Sequence, residues 1–108
     1  MRFQILMTAM LSLTLNSHAY YEDPHQAFPT SKNMTNQTTV TWEAVDNVQA
    51  ACEKGSHKRG YGGFNYPVEA CSFWNKSTCH VITAKKVNFH TLGHEIRHCF
   101  QGAFHSEK

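Results

Sequence analysis

The chain has 108 residues, 41% of them apolar and 17% charged, and a formal net charge of +2. That length fits one domain, and the absence of any basic block argues against nucleic acid as a partner. Four cysteines and eight histidines are the compositional features to explain.

Residues 1–19 read MRFQILMTAMLSLTLNSHA. Arg2 supplies a positive start, the stretch from Phe3 to Leu15 is apolar and interrupted only by small or uncharged polar residues, and Ser17 and Ala19 occupy the small-residue positions of a cleavage site. This is the pattern of a signal peptide removed after Ala19. The other reading is a buried helix or membrane anchor, but the run is short and too polar to span a bilayer. A secreted or periplasmic protein follows as the expectation. Without a second apolar run, no membrane contact is expected after signal removal. Residues 20–37 are polar, hold Pro24 and Pro29, and show no periodicity, so they read as a flexible lead-in. Residues 38–108 then form the domain.

Thr38 to Trp42 alternates threonines with Val40 and Trp42, a strand signal. Asp46 or Asn47 can cap a short helix through Lys54, with Val45, Val48 and Cys52 at helical spacing and Gly55 as its stop. Ser56 to Pro67 is glycine-rich and reads as a loop; its part from Lys58 to Tyr66 mixes cations and aromatics and is a candidate cleft wall. Val68–Trp74 and Cys79–Ala84 read as strands joined by a turn at 75–78. Asn88 or Thr91 can cap a last helix that reaches Gln101 or Gly102. The expected fold class is α+β: a small disulfide-stapled domain with a short antiparallel sheet and a C-terminal helix that carries the site.

Cys52, Cys71, Cys79 and Cys99 all follow the signal, and an even count there reads as two disulfides. Of three possible pairings, Cys71–Cys79 closing the hairpin with Cys52–Cys99 is the favoured one. A cysteine metal site is disfavoured because the tight paired spacing is missing.

The last helix reads TLGHEIRHCFQGAFH from Thr91. His94 and His98 lie four apart, which stacks both imidazoles on one helix face about a turn apart, within reach of one tetrahedral ion. Glu95 is turned by roughly 100° and stands beside the ion's open side, placed to take a proton from a metal-activated water. Leu92, Ile96, Cys99 and Ala103 form an apolar stripe nearly opposite. A third ligand is needed, and His105 is the candidate, with Gly102 turning the chain back toward the metal. His80 and His90 are further candidates for metal or substrate contact, although partly exposed surface histidine is the ordinary reading for both. Phe73 and Trp74 read as packing residues.

This segment resembles the zincin metallopeptidases. HEIRH matches their helix motif residue by residue, which implies His94 and His98 as zinc ligands and Glu95 as general base. The trailing Gly102 and His105 are similar to the metzincin extension, but the spacing here is HExxHxxxGxxH, one residue longer before the glycine. The likeness covers about twelve residues. It implies a Zn2+-dependent peptidase acting on a peptide or protein substrate, with Cys79–Ala84 or the preceding strand as the shelf for extended substrate. Tyr61, Tyr66 and His80 are candidates to stabilise the oxyanion. The alternatives are a non-catalytic zinc-binding module and a disulfide-stapled interaction protein with an accidental motif.

Overall fold

The structure, a computed structural model, describes residues 25 and 27–107. The expected signal peptide lies outside the described residues. Strand β1 (Thr39–Val45) is followed by helix α1 (Val48–Lys58), the hairpin β2 (Ala70–Trp74) and β3 (Thr78–Ala84), and helix α2 (Phe89–Gln101). Short 3-10 turns occupy Thr30–Lys32 and Phe104–Glu107.

The α+β class is as expected, but the sheet is mixed. Its order is β1-β3-β2, with β2 antiparallel to β3 and β1 parallel to it. A tight turn makes the hairpin antiparallel, whereas the long connection from β1 through α1 and β2 permits a parallel return. β3 is therefore the central strand, and Val81, Ile82 and Thr83 on it are buried.

One helix packs on each face of the β2–β3 hairpin, while β1 at the sheet edge stays largely exposed. Across the hairpin Cys71 pairs with Ile82 and Trp74 with Cys79. Side chains alternate between faces along a strand, so Cys71 and Ile82 look one way while Cys79 and Val81 look the other. On the first face Cys52 of α1 joins Cys71 and Ile82, with Val48 and Phe64 against them. On the second, Cys99 of α2 joins Cys79 and Val81, with Leu92, Ile96 and Phe100.

This arrangement corrects the expected disulfides. The bonds are Cys52–Cys71 and Cys79–Cys99. A Cys71–Cys79 bond would have to pass through the sheet, because those two residues project from opposite faces. Each bond instead staples one helix to the face it covers, and each closes a loop whose constraint is worth about 3 kcal/mol. Two disulfides belong to an oxidising, extracellular-type compartment. No described helix is long and apolar enough to cross a membrane.

Element boundaries also differ from expectation: β1 runs on to Val45, which therefore belongs to the strand and not to the helix pattern, and β2 starts at Ala70. Asn47 caps α1 by accepting from the Ala50 amide, but the helix continues past Gly55 to Lys58. Gly55 is a close-approach residue and not a stop: a Cβ there would lie 2.9 Å from Cε2 of Phe73. At the other end, part of the lead-in is tied down. Gln101 Nε2 donates to Pro29 O and Asn33 Oδ1, and the Met34 amide donates to Phe100 O at 2.7 Å. The chain thus wraps the C-terminal end of α2 before entering β1.

Candidate metal centre

Helix α2 begins where the Asn88 side chain accepts the Thr91 amide at 2.7 Å, so Asn88 is the cap. Such a cap contributes about 1 kcal/mol. The helix ends after Gln101, where Gly102 adopts φ 64° and ψ −137° while its amide still bonds to His98 O. L side chains rarely adopt that backbone. Here it reverses the chain and sends Phe104–Glu107 back along the helix. Ala103 consequently leaves the apolar stripe and is exposed, and Phe100 packs in the α2 core cluster instead.

The reversal brings the three sequence-predicted ligands together. One ligand atom from each of His94, His98 and His105 lies within 4.8 Å of the others. It is the one such His/Cys/Asp/Glu group among the described residues. His94 and His98 follow from helix spacing, with ring centroids 5.0 Å apart. His105 Nε2 comes within 2.7 Å of His94 Nε2. At that distance one nitrogen carries a proton directed at the other, and a cation taken up there displaces it. The His98 Nδ1 lies 2.6 Å from Gly102 O. A carbonyl only accepts, so Nδ1 holds the proton and Nε2 keeps its lone pair for a ligand role. A backbone carbonyl fixing a histidine tautomer is the usual support of a metal-binding imidazole. Three neutral imidazoles suit a transition-metal ion such as zinc, so the residues present fit a metal.

The surroundings rigidify the cluster. Trp74 lies parallel to His98, with centroids 5.1 Å apart and planes at 8°, and the Phe104 ring tilts against His98 with centroids 4.4 Å apart. Arg97 in turn sits 4.0 Å over Phe104. His98 is buried against these aromatics, His94 is half-buried and His105 exposed. The two sides of α2 are therefore both covered, one by the sheet and one by the returning tail.

Glu95 is buried, with 7% of its surface exposed. Ser72 on β2 donates its hydroxyl to Glu95 Oε1 at 2.8 Å. Burial lifts the carboxyl above its ordinary range, while the Ser72 hydrogen bond and the positive field of His94 pull it back in part. A carboxyl raised in this way holds its proton to a higher pH than an ordinary glutamate does.

These groups open onto a cleft of about 950 Å3 between α2 and β2, closed at one side by the loop 64–69. Of the other sequence candidates, Tyr66 lines this cleft. His90 lines it too, one turn before His94, but lies outside the three-imidazole group. Tyr61 and His80 line a separate depression, and His80 Nε2 is 3.0 Å from Glu43. Sequence reasoning missed Ser72 and Phe104 as parts of the centre and took Trp74 as packing alone. The strand alternation that puts Ser72 and Trp74 on one face was the available signal.

No family model, curated protein or solved structure matches this chain.

Proposed function

We propose that this protein is an exported zinc-dependent peptidase whose ligands are His94, His98 and His105 and whose general base is Glu95. The observation that carries the reading is the buried Glu95 carboxylate, held by Ser72 beside a convergent histidine triad at the head of a cleft. A triad that served only to hold an ion has no need of a buried acid next to it, since burial of a carboxylate is costly.

Zinc bound there would supply Lewis-acid polarisation of the scissile carbonyl and a lowered pKa for the attacking water. The chain's own groups supply the rest. With Oε1 engaged by Ser72, Glu95 Oε2 is the oxygen that takes the water proton and later hands it to the leaving amine. Substrate pairs along β2. β3 is central and has both edges occupied, whereas β2, which lines the cleft, is an edge strand among the described residues.

A second reading, a non-catalytic module in which the ion fastens the C-terminal tail, draws on the Trp74–His98–Phe104 stack, which ties the ligands into the hydrophobic packing. Metal analysis with peptide-library profiling of wild type and Glu95→Gln separates the two. The peptidase reading requires about one zinc in both proteins and cleavage reduced at least roughly 100-fold in the variant. Zinc in both with no cleavage by either leaves the module, and no retained zinc after add-back removes both.

A further inference from the structure

The connection between α1 and β2 contains three glycines and looks loose in sequence, yet α1 fastens it at several backbone points. Glu53 accepts the Phe64 amide with both carboxylate oxygens at 3.2 Å. Gln49 accepts the Val68 amide at 2.8 Å and donates to Tyr66 O at 3.3 Å. The same Gln49 amide nitrogen donates to Glu53 Oε2, locking the two clamps to each other. Ser56 Oγ donates to Gly62 O. A connection that merely crossed the surface would leave these amides to water.

The clamps present aromatic surface to the cleft. Phe64 is anchored in the α1-side core and meets Tyr66 edge-on, with centroids 5.9 Å apart. Tyr66 itself is 61% exposed. Phe64, Tyr66, Pro67 and Val68 line the same cleft as His94 and Glu95. An exposed aromatic on a fixed backbone loses little entropy when it receives a partner, which is the property of a recognition surface.

We propose that the loop 62–69 is the specificity wall of the cleft, and that Tyr66 with Phe64 and Pro67 seats a bulky apolar or aromatic side chain of an extended peptide beside the metal ligands. This rests on the reading that the cleft holds a peptide. The wall selects by area: side chains that cover Tyr66 gain apolar contact, and glycine gains none.

The test uses the zinc-loaded full chain and measures binding of acetohydroxamate and of the hydroxamates of acetyl-glycine, acetyl-leucine and acetyl-phenylalanine by calorimetry. The chelating group is constant, so differences report the side chain. Wild type is expected to bind the leucine and phenylalanine compounds about tenfold or more tighter than the glycine compound. Tyr66→Ala is expected to shrink that ratio to about twofold and leave acetohydroxamate unchanged, and Tyr66→Phe to preserve it. Equal affinities in wild type, or a ratio unaltered by Tyr66→Ala, overturn the inference. A preference without hydrolysis of any peptide supports the wall and counts against the peptidase reading. Hydrolysis without the preference sinks the wall alone. Failure of acetohydroxamate to bind removes the metal centre, and the inference with it.

Discussion

Ser72 and Glu95 belong to different elements, β2 and α2, and their side chains meet at 2.8 Å beneath the histidine cluster. The contact spans the cleft floor and fixes which oxygen of the buried carboxyl is engaged. Since Ser72 pairs with the buried Val81 on the central strand, the orientation of Glu95 is referred to the core of the sheet.

Ser72→Ala is accordingly expected to lower turnover about tenfold without releasing metal. A misoriented base loses part of the 10²–10⁴-fold that proton transfer contributes. Ser72→Thr keeps the hydroxyl and should restore most of the loss. Steady-state kinetics with zinc analysis of the same samples checks this, and equal kcat in Ser72→Ala and wild type would count against a positioning role.

The raised carboxyl of Glu95 has a consequence for stability in protein stripped of metal by chelator. The folded state holds this proton more tightly than the unfolded chain, whose ordinary value is 4.5. Between that value and the raised one the folded state therefore binds more protons, and stability falls as pH rises through the window. Thermal melts from pH 4 to pH 8 should show the decline in wild type and a flatter profile in Glu95→Gln. The variant should be the more stable of the two at the upper end.

Removing His105 tests the tail. His105→Ala leaves two imidazoles, and zinc affinity should drop by roughly 100-fold or more, since even supporting residues are worth 10–100-fold. The stretch after Gln101 should become more accessible to protease and hydrogen exchange when zinc is supplied. Affinity for zinc in wild type should also weaken as pH falls, because protons compete for the same imidazole nitrogens.

Gly102→Ala probes the reversal. The glycine sits at φ 64°, and a Cβ would approach Met34 Sδ to 2.8 Å. A backbone strain of about 1–3 kcal/mol is expected, together with weaker zinc binding because the His105 turn is displaced. Denaturant unfolding and zinc titration on the same variant measure the two effects.

Peptide mapping without reductant should recover Cys52–Cys71 and Cys79–Cys99 linked fragments. Replacing Cys79 and Cys99 together by serine should cost about 2–5 kcal/mol and weaken zinc binding, since that bond holds α2 to the sheet. The corresponding change at Cys52 and Cys71 should cost similar stability and disturb the loop 62–69 more than the metal centre.

Local signals in the sequence sufficed for the helix carrying His94 and His98 and its glycine end, and narrowed the cap to Asn88 or Thr91, of which the structure uses Asn88. Those depend on 3.6-residue periodicity and on backbone chemistry within a few residues. The hairpin and the even cysteine count were legible for the same reason. The disulfide partners, the parallel placement of β1 and the extension of α1 past Gly55 were decided by tertiary structure. Each turns on which sheet face a side chain occupies or on what lies across a contact, and the bonded cysteines are 19 and 20 residues apart along the chain. The partnership of Ser72 with Glu95, and the contacts of His98 with Trp74 and Phe104, belong to that second kind: the packing of α2 against β2 and the chain reversal at Gly102 bring those groups within reach.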